Sequence, residues 1–155
     1  EGAIIAEAVV APELRAKIVD SVLEISESVD LEGAEIIVAG GRGVGTKENY
    51  EMVKELASLL GGVVGATRPV IEEGWISRAH QVGQSGKIVA PKLYLAFGIS
   101  GAAQHMSGIT GSDYIVAVNK DEEAPIFEIA NVAIVGNCID ALQIMIEEVK
   151  KMKAE

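Results

Sequence analysis

Gly41-x-Gly43-x-Gly45, with Arg42 inside it, is the first group of residues in this chain that could do chemistry. A glycine-rich turn ahead of a helix can aim backbone N–H groups at a phosphate, and an arginine adds charge. The same pattern also serves as a plain tight turn. It is not a dinucleotide fingerprint. Thr46 stands where the third glycine belongs, and Arg68 stands where an acid is expected about 20 residues on. It is not an ATP-binding loop either, because Gly45-Thr46-Lys47 has the lysine and hydroxyl in the wrong order. A second turn, Gly98-Ile99-Ser100-Gly101-Ala102, could hold a serine nucleophile, but the G-x-S-x-G pattern fails at Ala102. His105 is the last histidine and follows too closely to serve as a triad base. Ser100 and the N–H groups beside it suit a phosphate better.

Other reactive residues are few. His80 and His105 are the two histidines and Cys138 the one cysteine, and their spacing suggests no metal site and permits no internal disulfide. A lone histidine is more often structural than functional, although His105 follows a phosphate-type turn. Cys138 reads most simply as a small core residue, and Trp75 as packing.

Charge narrows the partners. Thirteen basic against 23 acidic residues give −10, which repels nucleic-acid backbones. Between Trp75 and Lys120, however, Arg78, Lys87, Lys92 and Lys120 face a single acid, Asp113. This acid-poor, glycine-rich stretch fits a site for a small anionic ligand, or lysines solvated on loops. The 155 residues, 49% hydrophobic, suffice for one domain with an ordinary core. No apolar run approaches the ~20 residues of a membrane span, and no leader opens the chain, so membrane insertion is not expected. A lone cysteine fits a reducing compartment, the cytoplasm or, in a eukaryote, the mitochondrial matrix.

Elements that could position these residues follow from the apolar pattern. Ala3 to Val10 reads as a strand, and Leu14, Ile18, Val22 and Ile25 share one helix face after Pro12. Glu35–Ala39 is a buried-strand run, followed by a helix over Lys47–Leu60 that Gly61-Gly62 stops. Val63–Thr67 is a short strand and Ile71–Gly86 a long loop. Lys87–Ala90, Leu93–Phe97, Tyr114–Val118 and Val132–Val135 read as strands, with a short helix at Ala102–Met106 and a closing helix at Ile139–Met152. Continuous apolar strands alternating with helices predict a single-domain α/β fold, a Rossmann-like parallel sheet of about five to seven strands with helices on both faces. In such sheets ligands bind at the carboxyl ends of the strands, and here those ends carry the glycine turns, Thr67-Arg68, Asn119 and Gly136-Asn137.

Gln81-Val82-Gly83-Gln84-Ser85-Gly86-Lys87 is more specific. With Gly40-Gly41-Arg42-Gly43 before it and Gly98-Ile99-Ser100-Gly101-Ala102-Ala103-Gln104-His105 after it, the chain closely resembles the carboxyl-terminal FAD-binding domain of the electron transfer flavoprotein α subunit. Gly65-Ala66-Thr67-Arg68, Val116 to Asp121 and Ala124 to Phe127 extend the match over about Glu35 to Val149. The resemblance implies an FAD site without the usual fingerprint. It places Arg42 and the turn at Ser100, Gly101 and Ala102 at the phosphates, with Ala103 and Gln104 also among the cofactor-binding residues. Thr67, Arg68, Val82, Gly83, Gln84 and Ser85 go to the flavin ring. The Ser85 hydroxyl goes to N5 and His105 near the C2 carbonyl. Asn119, Asn137 and Cys138 go to the adenosine side. Reduction puts negative charge near N1 and the C2 carbonyl. A cation about 4 Å away is worth roughly 4 kcal/mol at an effective dielectric of about 20. Arg68, always charged, and His105, titrating near ~6.5, are expected to stabilise that charge and favour one-electron traffic.

The chain departs from the family where serine replaces the usual threonine at 85 and asparagine the usual aspartate at 137, and in the run before Gln81. The family's amino-terminal domain is missing, and the start at Glu1 suggests an excised domain covering residues 1–155. The expectation is an electron carrier rather than an enzyme, with an electron transfer flavoprotein β subunit covering the flavin, or self-association of the isolated domain in its place. Flavin dehydrogenases would supply the electrons and an electron acceptor would take them. The alternative is an NAD(P)-binding domain of a transhydrogenase-like oxidoreductase.

Overall fold

A computed structural model describes residues 29–154. The strand at Ala3–Val10 and the helix after Pro12 lie outside the described residues. Among the described residues, five strands form one sheet: β1 (Ile36–Gly40), β2 (Val63–Ala66), β3 (Leu93–Phe97), β4 (Tyr114–Asn119) and β5 (Val132–Val135). The order is β2-β1-β3-β4-β5, and every pairing is parallel. Four helices of the described residues accompany them: α1 (Lys47–Leu60), α2 (Arg68–Glu72), α3 (Ala103–Met106) and α4 (Cys138–Ala154).

Helix α1 keeps the bounds its sequence signals set. The Thr46 hydroxyl accepts from Asn49 N at 3.1 Å, and Gly61 closes the helix in the left-handed region at φ 69°. Its apolar side packs with α4 on one face of the sheet, where Tyr50, Val53, Leu56, Leu142 and Ile146 meet Val38, Leu95, Phe97 and Val118. The opposite face is different. Among the described residues it is covered by irregular segments, by α3 and by a 3-10 turn at Pro125–Glu128, through Leu31, Val82, Val89, Ile109 and Ile126.

A row of small side chains makes that second covering fit. Gly65, Ala39, Ala96, Ala117 and Ala133 stand in register across all five strands. At Gly65 an added Cβ would lie 3.2 Å from Val82 Cγ2, so the loop after Gln81 lies close over the sheet.

Two segments differ from the sequence reading. Lys87–Ala90 is not a strand. Lys87 makes one isolated bridge to Val82, Val89 N bonds Gly108 O at 2.8 Å, and Pro91 follows without an N–H to donate. The Ile71–Gly86 loop is largely irregular, but α2 runs into its start, with Pro69 in the first turn where a missing N–H costs little.

Candidate functional site

The strands deliver their carboxyl ends to one edge, where a cleft of about 920 Å³ opens. That is the size of a pocket for a drug-sized or cofactor-sized ligand. Its floor is two turns packed backbone to backbone. Gly41 N bonds Phe97 O at 2.9 Å and Gly43 N bonds Gly98 O at 3.0 Å. A Cβ on Gly43 would lie 2.7 Å from Gly98 O, so both turns must be glycine to touch. Gly101, at φ 93°, lies against the backbone of Ile126.

At one end of the cleft stand exposed cations. Arg42 and Lys120 reach it from the turns after β1 and β4, and no carboxylate is among the described residues lining it. Arg68 lines it too, but its Nε donates to Glu72 Oε1 at 2.9 Å, which offsets part of its charge. Asn119 fastens the turns beneath: its Nδ2 donates to Ile99 O at 3.0 Å, and its Oδ1 accepts from Asp121 N at 2.9 Å.

Toward the loop after Gln81, buried and exposed groups mix: Thr67, Val82, Gly83 and His105 are buried, and Arg68, Gln84 and Ser85 are exposed. The loop from Gln81 hangs on β2, with Val82 N bonding Ala66 O at 2.9 Å, and on α3, with Gln84 N bonding Gln104 O at 2.7 Å. Thr67 is 8% exposed, lines the cleft, and has no partner for its Oγ1. A buried hydroxyl without a partner costs about 1–3 kcal/mol, so this atom marks a place for a ligand's polar group.

His105 is a correction. The expectation was a ring titrating near ~6.5 that adds positive charge. The structure buries it, with Nδ1 3.1 Å from Val82 O and Nε2 2.8 Å from the Tyr94 hydroxyl. Desolvation dominates and lowers its pKa to about 4, against a smaller opposing effect of the Val82 carbonyl. The ring is therefore neutral at pH 7, donating from Nδ1 to Val82 and accepting from Tyr94. Tyr94 is fully buried, and desolvation raises its pKa well above the usual range, so it keeps its proton to donate.

Thirteen residues singled out from the sequence line the cleft: Arg42, Thr67, Arg68, the run Val82–Ser85, Ser100–Ala102, Gln104, His105 and Asn119. Ala103, Asn137 and Cys138 do not line it. Asn137 Oδ1 accepts from Ile139 N at 2.8 Å at the start of α4, and the Cys138 thiol lies 3.4 Å from Gly43 O, behind the glycine turn. Burial raises the Cys138 pKa, so the thiol stays protonated as a donor. Lys120 and Gln81 were missed. A basic residue directly after a strand end in the acid-poor stretch was a usable signal for Lys120; Gln81 opens the Gln81–Lys87 run, but its role was not legible because its contact depends on how the loop folds. Among the described residues, no cluster of three or more His, Cys, Asp or Glu could hold a metal, and no helix is long and apolar enough to cross a membrane.

Residues 30–110 match the family described as electron transfer flavoprotein FAD-binding domain. The chain is 51% identical over 141 residues to an electron transfer flavoprotein subunit alpha of Thermoanaerobacterium thermosaccharolyticum, covering 91% of this chain and 43% of that one. It is 51% identical over 128 residues to the mitochondrial alpha subunit of Dictyostelium discoideum, covering 83% of this chain and 36% of that one. It is 53% identical over 121 residues to the protein FixB of Azotobacter vinelandii, covering 78% and 34%. The chain thus spans about two fifths of the length of the curated relatives it matches.

Proposed function

The chain belongs to the electron transfer flavoprotein FAD-binding domain family, and on that premise we propose that its cleft holds FAD non-covalently as part of an electron carrier. The observation that carries this reading is the cleft's composition: exposed cations and glycine turns with no lining carboxylate on the one hand, and the unpartnered hydroxyl of buried Thr67 on the other. A dinucleotide with anionic phosphates and a flat polar ring has that same division. Bound FAD supplies one-electron chemistry, which no side chain of this cleft supplies.

The residues have separate tasks. Arg42 and Lys120 attract and neutralise the phosphates, and the Ser100–Ala102 turn offers N–H groups beside them. Val82–Ser85 and Thr67 hold the ring by hydrogen bonds and by excluding water from one side. Arg68, at the rim, adds a screened positive charge to the ring's surroundings. His105 and Tyr94 fix the loop by holding the Val82 carbonyl. Asn119 secures the phosphate-side turns and keeps one amide N–H for the adenosine.

As an electron carrier the domain works with partners: an electron transfer flavoprotein β subunit over the ring, flavin dehydrogenases as donors and an electron acceptor. The working compartment is the cytoplasm, or the mitochondrial matrix in a eukaryote. The test is titration of the purified chain with FAD and, separately, with NADPH. Quenched FAD fluorescence and flavin retained through desalting are expected. Tight NADPH binding without flavin affinity would overturn the reading in favour of a nicotinamide-nucleotide domain.

A further inference from the structure

Gln81 is 4% exposed, and its amide Nε2 donates to Ser85 Oγ at 2.7 Å. This is short for an N–H···O bond. Ser85 itself is exposed and lines the cleft. A hydroxyl has one proton to give and two lone pairs to receive with. An N–H from inside the protein occupies one lone pair, so the hydroxyl proton points away from Gln81.

We infer that Gln81 is a positioning residue that makes Ser85 a one-way donor into the cleft, so that the ligand atom facing Ser85 must carry a lone pair. This rests on the FAD reading, in which the unprotonated ring nitrogen N5 of oxidised flavin faces that hydroxyl. A ring that presents an N–H or C–H there meets a donor instead of an acceptor and binds less well.

The loop can spare the Gln81 amide for this work because its backbone closes on itself. Gly83 N bonds Lys87 O at 3.0 Å, Lys87 N bonds Gln81 O at 2.9 Å, and Gly86 N bonds Gly83 O at 3.0 Å. None of these bonds uses the amide side chain. Its burial keeps water from competing for the amide N–H, so the bond to Ser85 Oγ is set by the protein.

The test compares FAD with 5-deaza-FAD, in which a C–H replaces N5, by fluorescence titration of the ligand-free chain. The native chain should bind FAD about fivefold more tightly than 5-deaza-FAD, the worth of one hydrogen bond. Ser85→Ala should abolish the preference. Gln81→Glu should do the same, because a carboxylate accepts the hydroxyl proton and turns it away from the cleft. Gln81→Leu frees the hydroxyl to rotate and should reduce the preference to about twofold, since one orientation of several still donates. Gln81→Met, matched in length, serves if the leucine variant does not fold. A packing defect alone weakens both ligands together and leaves the ratio intact. An unchanged ratio in the Gln81 variants, or no preference in the native chain, would overturn the inference while leaving FAD binding in place. A native chain that binds neither ligand would overturn the FAD reading itself.

Discussion

The two ends of the cleft are built on opposite principles. At the cation end, Arg42 and Lys120 are exposed on turns whose shape comes from glycine backbones. On the side of the Gln81 loop, Thr67, Gln81 and His105 are buried, neutral side chains, and Gln81 and His105 are tied to fixed partners. Exposed charge attracts a ligand from a distance but holds it loosely, because water screens it and long side chains move. Buried neutral groups attract nothing from afar but fix an atom within a fraction of an ångström. A dinucleotide that must be captured by its phosphates and then oriented by its ring needs both.

Backbone contact should be the most costly thing to break. Gly101→Ala forces a Cβ onto the backbone of Ile126 at φ 93°. Crowding and left-handed strain together should lower stability by about 3–4 kcal/mol in urea unfolding. A loss under 1 kcal/mol would show that the turn gives way.

The buried side chains should reveal themselves through pH. His105 has its pKa lowered from 6.5 to about 4 in the folded chain. The unfolded chain therefore binds this proton first, and stability falls as pH drops below about 6.5 until it levels near 4. The loss should reach about 3 kcal/mol across that window. Native unfolding free energies at pH 7.5 and 4.5 should differ by more than those of His105→Gln. Equal pH slopes in the two proteins would contradict the buried neutral ring.

Effects on affinity should be smaller and should separate the two ends. Arg42→Ala should weaken FAD binding about tenfold at low salt and much less at ~1 M salt, where the screening length falls to about 3 Å. Salt-independent weakening would instead make Arg42 a structural residue. Thr67→Val removes a hydroxyl that has no partner in the ligand-free chain. It should raise ligand-free stability by about 1 kcal/mol yet weaken FAD about fivefold. If both numbers move in the same direction, the hydroxyl has no ligand to serve. Arg68→Ala should matter least, because Glu72 already pairs with the guanidinium in solvent. It should lower the one-electron potential of bound flavin by no more than about 30 mV, a threefold change in equilibrium. A shift of 100 mV or more would place its charge closer to the ring than this pairing allows.

Local signals in the chain were enough for most of the frame. The 3.6-residue apolar period and the cap residues Thr46 and Gly61 set α1, because both act over a few residues of chain. The apolar runs at Leu93–Phe97 and Val132–Val135 are strands with those bounds for the same reason. The glycine turns, Thr67, Arg68 and Asn119 were legible too, because a strand's carboxyl end in a parallel sheet is a ligand's place, whereas Val82–Ser85 and Gln104 were reached only through the family resemblance. What local sequence could not hold was pairing. Lys87–Ala90 has a strand's composition, but its hydrogen bonds go to Gln81 and Gly108, so no ladder forms. The neutrality of His105 comes from burial of its ring, which the fold places between Tyr94, 11 residues earlier, and Val82, 23 residues earlier. The role of Gln81 turns on a loop that bends its amide back to Ser85. Periodicity and turn chemistry are short-range properties, written residue by residue. Burial and hydrogen-bond partnership come from distant segments meeting, and the tertiary structure alone decided which groups in this cleft are neutral, which are charged, and which way one hydroxyl proton points.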